Sequence, residues 1–185
     1  MKSWLVCRQA AFRQPSAARP KPGQVVLRPV TVESRTAIKK LVLEPEQEQF
    51  AGSVDTVFDG LRDSPSADSE HAFAVVAGSE AIGFFILREN DALPVWAPRG
   101  VVTLHSFRIS RDVQGMGYGR AAVDLAICWV RQNRPDVGQL MLAVNARNLP
   151  AMSLYLKAGF VDEGALLHGP IGDQHILTFP IPDAG

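Results

Sequence analysis

The chain has 185 residues, of which 46% are apolar and 21% charged, which fits one ordinary globular domain with length to spare for a core. No apolar run approaches the roughly 18–20 residues of a membrane-spanning helix, so no membrane partner is expected. The formal charge is zero but uneven: Lys2, Arg8, Arg13, Arg19 and Lys21 lie in the first 24 residues with no acid, leaving 14 of the 19 basic residues against all 19 acids beyond them. A mildly acidic body argues against nucleic acid and suits a cationic substrate.

Residues 1–24 read as a basic, disordered tail, since Pro15, Pro20, Pro22 and Gly23 discourage regular structure. An organellar transit peptide is the other reading of that stretch. The domain proper is then 25–185. Gln24–Pro29 reads as a short strand rich in β-branched residues. Val32–Leu43 follows with near-helical apolar spacing, Pro45 interrupts it, and Gln49–Leu61 is a second helical piece. Asp63–Glu70 is a loop. Ala72–Ala77 and Ala81–Arg88 make a hairpin around Gly78-Ser79-Glu80.

Asn90–Gly100 is a longer loop, within which Trp96 either lines an acceptor site or covers the core edge. Val101–Ile109 is apolar on both faces, as a central strand covered on both sides would be. Gly117–Asn133 is a helix with Val123, Ala126, Ile127 and Val130 as its buried stripe. Cys128 falls in that pattern as a small core residue, and two cysteines, Cys7 and Cys128, make no disulfide framework, which fits a reducing cytosol. Gln139–Val144 is a strand. A helix opens near Pro150 and stops at Gly159, and Phe160–Leu167 and His175–Ile181 are the last strands. The order β-α-α-β-β-β-α-β-α-β-β describes a mixed α/β fold: a central twisted sheet of about six or seven strands with helices on both faces.

The strongest chemical signal is the run Gln114, Gly115, Met116, Gly117, Tyr118, Gly119 and Arg120, set between the doubly covered strand and a helix. Three glycines let backbone amides approach an anion closely, at a helix N-terminus that favours negative charge. A phosphate or pyrophosphate site is expected, against the plainer alternative of a tight turn. The run lacks the Gly-Lys-Ser/Thr ending of a P-loop and the early βαβ context of a dinucleotide fingerprint.

Gln114-x-x-Gly117-x-Gly119 after a strand resembles the acetyl-CoA-binding motif of the GNAT superfamily, the Gcn5-related N-acetyltransferases. About thirty residues on, the stretch from Asn145 through Asn148, Ala151 and Tyr155 to Gly159-Phe160 resembles the second motif of that family. The segment Glu46-Gln47-Glu48-Gln49-Phe50 is similar to the acceptor-pocket stretch of the spermine/spermidine and diamine acetyltransferase branch. Solvated helix-end charges are the competing account of Glu46 and Glu48.

The resemblance implies direct transfer from acetyl-CoA to a primary amine of a small molecule, polyamine or diamine-like, with no metal. It places backbone groups of Phe107, Arg108 and Ile109 along the cofactor, Asn148 at its pantetheine arm and Glu46, Gln47 and Phe50 at the acceptor. It makes Tyr155 the general acid for the leaving thiolate. Where many relatives carry a glutamate base on the central strand, this chain has His105; it is either that base or a buried, hydrogen-bonded histidine. A peptide or protein acceptor and a non-catalytic CoA-binding module remain the alternatives, and a homodimer is left open.

Overall fold

The computed structural model describes residues 21, 24–31, 34–43 and 45–182, with the side chains of Pro45 and Glu46 excepted. The tail expected over 1–24 thus lies, apart from Lys21 and Gln24, outside the described residues. The elements in chain order are β1 (Val25–Pro29), α1 (Arg35–Ile38), α2 (Pro45–Ala51), α3 (Val54–Arg62), β2 (Glu70–Ala77), β3 (Glu80–Arg88), β4 (Val102–Ile109), α4 (Tyr118–Asn133), β5 (Gln139–Asn145), α5 (Leu149–Lys157), β6 (Val161–Gly169) and β7 (Gly172–Pro180).

One seven-stranded sheet runs in the order β1-β2-β3-β4-β5-β7-β6. Its neighbours are antiparallel except β4 and β5, which are parallel. Strand alternation divides the core between two faces. Phe73, Val75, Phe85, Leu87, Val102 and Leu104 pack against Ala122, Val123, Ala126 and Val130 of α4. Ala74, Val76, Phe84 and Ile86 turn the other way, onto Ile38, Leu41 and Phe58. The mixed α/β sheet covered on both sides is therefore the fold that the order of elements predicts, with β4 at its centre. Cys128 is half-buried, at the margin of the α4 stripe rather than within it.

Two departures from the sequence reading shape the cleft. Of the helix expected over Val32–Leu43, the described residues form an α-helix from Arg35 to Ile38 alone. A turn at Lys39–Lys40 follows, and Val42 then bonds to the end of β4, its O accepting from Arg111 N (2.7 Å) and its N donating to Ser110 Oγ (3.3 Å). Backbone bonds to the end of β4 outcompete weak local helicity. The helix expected over Gln49–Leu61 is two helices. Gly52 takes a left-handed φ of 73°, and Ser53 Oγ accepts from Thr56 N (3.0 Å) to cap α3. Arg35 pairs with Asp55 and Asp59, and Lys39 with Asp55, fastening α3 to α1. These bends bring α2 over the C-terminal half of β4.

Candidate functional site

β4 and β5 are paired only at Val102↔Leu140 and Thr103↔Met141. Beyond Thr103 the strands part, and the backbone of β4 from Leu104 to Ile109 faces Leu142–Asn145 of β5 across a cleft of about 580 Å³. On its other edge β4 carries an extra residue. Between the pairs Ile86↔His105 and Phe84↔Arg108, three steps of β4 oppose two of β3, a β-bulge. Ser106 absorbs it with a φ of 51°, in the left-handed region.

The glycine run closes one end of this cleft. Gly115 (φ 75°) and Gly117 (φ 86°) are left-handed, and Gly117 is the N-cap of α4. Open space surrounds the position a Cβ would take at Gly115. At Gly119 a Cβ would lie 3.3 Å from Leu154, so this glycine also lets α4 and α5 approach. The backbone amides at the start of α4 have no intrahelical acceptor and lie at the positive end of the helix dipole.

The named side chains of the run do different things. Gln114 Nε2 donates to Ile109 O (2.8 Å) and to Gln47 Oε1 (2.8 Å), and Gln47 Nε2 donates back to Gln114 Oε1 (3.2 Å). This reciprocal pair clamps α2 to the loop. Tyr118 is buried in the core and Met116 is exposed, so only their backbone can serve an anion. Arg120 Nε donates to Asp124, and Nη1 donates to Lys157 O (2.6 Å), tying the two helices together.

At the middle of the cleft Tyr155, on α5, is 6% exposed. Its ring meets Phe107 edge-on (5.9 Å) and Phe160 (5.6 Å), and its burial holds the phenol well above the ordinary tyrosine range. It lines the cleft as a neutral O–H donor. Asn148 caps α5, its Oδ1 accepting from Ala151 N (3.3 Å), and also lines the cleft. Its Nδ2 takes no part in the cap. The cap therefore leaves the Nδ2 of Asn148 uncommitted beside the cleft.

On the α1–α3 side, Gln47, Phe50 and Ala51 of α2 stand over His105 and Arg108. The Glu46 side chain lies outside the described residues. Arg147 of the β5–α5 loop stacks its guanidinium 5.9 Å from the Phe50 ring and donates to Ile171 O (2.7 Å), closing that side. Arg108 is 3% exposed. Its Nη2 donates to Ala51 O (2.8 Å) and Nε to Ser106 O (3.3 Å), and its charge sits 5.7 Å over the Phe84 ring. Burial pulls its pKa down to about 10, with Glu48 acting against that.

His105 Nε2 lies 2.8 Å from Thr103 Oγ1, whose hydroxyl donates to Arg88 O (3.4 Å). Nε2 is then the protonated nitrogen and Nδ1 the free acceptor. Burial, and after it the charge of Arg88, pull the imidazole pKa down to about 3. The imidazole is half-buried, hydrogen-bonded to Thr103 and on the cleft wall, an arrangement that accords with either of its two sequence readings.

The sequence reading passes over Arg88, which lines the cleft beside His105 and Trp96. Its signal is an arginine ending the apolar run Phe84–Leu87, but only the β2–β3–β4 register, which aligns Glu70, Arg88 and Thr103, shows where it points. Trp96 is half-buried and on the cleft wall. No group of side chains among the described residues could hold a metal ion, and no helix there is long and apolar enough to cross a membrane.

Residues 35–160 match the model of the acetyltransferase (GNAT) family. An uncharacterized N-acetyltransferase, YbbJ, of Bacillus subtilis (strain 168) is 35% identical over 98 residues, which are 52% of this chain; the match spans 61% of that relative's length. Among solved structures, the aminoglycoside acetyltransferase AAC(6')-Ib in complex with coenzyme A superimposes with a TM-score of 0.70 at 20% identity, covering 84% of this chain and 94% of that one. A spermidine N-acetyltransferase from Vibrio cholerae in complex with CoA and spermine gives 0.67 at 20% identity, covering 85% and 95%. At that identity the two structures speak for the fold.

Proposed function

The chain belongs to the acetyltransferase (GNAT) family, and from that premise we propose that it is an acetyl-CoA-dependent N-acetyltransferase acting on a primary amine of a small molecule by direct transfer. The observation that carries this reading is the parting of β4 from β5 after Thr103. It leaves unpaired backbone that runs straight into the glycine cradle, with the Tyr155 phenol between them.

The residues fit acetyl-CoA, which supplies a thioester and leaves as a thiolate. Amides of the Gly115–Arg120 segment meet its pyrophosphate. Main-chain groups of Phe107 and Arg108 and the N–H of Ile109, whose carbonyl is taken by Gln114 Nε2, pair with its pantetheine arm as an added strand would, and the unused amide hydrogens of Asn148 extend that contact. A backbone N–H of the β4 bulge stabilises the negative charge that develops on the thioester oxygen. Tyr155, protonated across the working range, donates its proton to the departing sulfur, and solvent returns a proton to the phenolate.

His105 cannot store the proton of the acceptor ammonium, since its own pKa lies near 3. Its Nδ1 orients the amine or a water as a hydrogen-bond acceptor, and solvent takes the proton. Gln47 is engaged with Gln114 and positions the cradle, while Phe50, under the Arg147 guanidinium, presents an apolar surface to the acceptor side of the cleft.

The test is thiol release from acetyl-CoA across a panel of amines, with initial rates measured at several concentrations of both substrates. Intersecting double-reciprocal lines and one favoured amine class are the expected result. Failure of acetyl-CoA to bind by calorimetry would overturn the proposal. Binding without turnover on any small amine would favour a peptide acceptor or a non-catalytic CoA-binding module.

A further inference from the structure

Among the described residues lining the cleft, the charged ones are Arg88, Arg108 and Arg120; none is a carboxylate. Arg120 is occupied at the α4–α5 end, and Arg108 is held by two main-chain carbonyls. Arg88 is differently placed. It ends β3, opposite Thr103 and beside His105 and Trp96. Its Nε donates to Glu70 Oε1 (2.7 Å), and the Glu70 side chain is 5% exposed while that of Arg88 is 32% exposed.

A single bond at Nε sets the plane of the guanidinium. Both terminal nitrogens stay available as the parallel donors of the fork that matches a carboxylate. The described lining residues offer a polycation no carboxylate for its second amine. They suit a molecule whose far end is negative.

Resting on the acetyltransferase reading, we propose that the acceptor is a small amine that also carries a carboxylate, and that Arg88 holds this carboxylate while the amine reaches the thioester. Arg88 is then the residue that sets acceptor specificity, oriented by Glu70. Its charge also contributes to keeping the neighbouring His105 neutral.

The experiment compares acceptors that differ only by the carboxylate: ornithine with putrescine, lysine with cadaverine, phenylalanine with phenethylamine. Short peptides with a free C-terminus distinguish a peptide carboxylate from that of a free amino acid. The carboxylate-bearing member of at least one pair should have a kcat/KM on the order of ten-fold higher or more, the scale of a charge-assisted fork. Arg88→Gln made together with Glu70→Gln, so that no unpaired carboxylate is buried, should bring that ratio to about one with acetyl-CoA affinity unchanged.

Equal or better use of every decarboxylated amine overturns the proposal, as does a ratio that survives the double variant. If no acceptor turns over, the acetyltransferase reading has failed separately. The same pairs are then titrated calorimetrically into the CoA-loaded protein. There, carboxylate-dependent binding that the Arg88→Gln/Glu70→Gln double variant abolishes supports the assignment, and no binding overturns it.

Discussion

Replacing Tyr155 by phenylalanine isolates the proton from everything else the ring does. The ring is packed against Phe107 and Phe160, and those contacts survive in the variant. The lost hydroxyl bonds no described residue and faces the cleft, so stability should change by less than about 0.5 kcal/mol. Acetyl-CoA affinity should stay within about two-fold. What disappears is a donor for the leaving thiolate, a contribution of about 10²–10⁴ in rate, so kcat should fall by about a hundred-fold or more, close to 2.7 kcal/mol of barrier. Because burial holds the phenol above the usual tyrosine range, neither enzyme should show an alkaline limb from Tyr155 below pH 10. The assay is initial-rate thiol release between pH 6 and 10, with acetyl-CoA affinity measured in parallel. A kcat within three-fold of the parent, or a loss matched by an equal loss of acetyl-CoA affinity, would refute the general-acid assignment.

Gly117→Glu puts a carboxylate and a strained left-handed side chain at the N-cap of α4; calorimetry should show acetyl-CoA affinity at least about a hundred-fold weaker, and near-parental affinity would remove the anion site from this loop. His105→Asn keeps a hydrogen-bonding group at the cleft wall, and its kcat–pH profile should have limbs at the same positions as the parent, since an imidazole pulled down to about 3 does not titrate in the working range; a parental limb near 6.5 that vanishes in the variant would restore the histidine as base. Glu89 is buried, bonded to His71 (2.7 Å) and Arg134 (2.5 Å), and although burial alone would raise its pKa, these partners together hold it below the ordinary carboxylate range. Its contribution is therefore full above the unfolded-state pKa of about 4.3 and lost as pH falls through the lower folded-state value. Glu89→Gln should cost about 2 kcal/mol at pH 7 and less with falling pH, and parallel Tm–pH curves between pH 7 and 3 would contradict the argument.

Patterns that belong to one element are legible in the chain. The stripe Val123, Ala126, Ile127 and Val130 is buried as its spacing predicts, and the doubly apolar Val101–Ile109 stretch is the central strand. The glycine run is legible as a tight turn, because the left-handed φ of Gly115 and Gly117 is one that glycine adopts without strain. What sequence does not show is set by neighbours. The truncation of α1 depends on hydrogen bonds from Ser110 and Arg111, some seventy residues away. The break at Gly52 could have been read from the adjacent Gly-Ser, a helix stop followed by a cap. Arg88 has no local signature, since its meaning comes from lying between Glu70 and Thr103 on two other strands.

The β4 bulge explains how one strand serves both halves of the cleft. In an unbroken strand, residues 103, 105 and 107 would share a face, with 108 opposite them. Here Thr103 and His105 lie on the α1–α3 face, and the extra residue at Ser106 reverses the alternation. Phe107 turns to the other side, against Phe85 and Tyr155, and Arg108 turns back over Phe84 toward α2. A left-handed serine costs on the order of 1–3 kcal/mol and persists only where the surroundings over-determine it. The bonds that hold it are Arg108 Nε to Ser106 O and Gln114 Nε2 to Ile109 O. The same departure that puts two polar side chains on the acceptor side therefore sets an aromatic ring under the proposed acid. It also twists the strand away from β5, and the opening so made is the cleft itself.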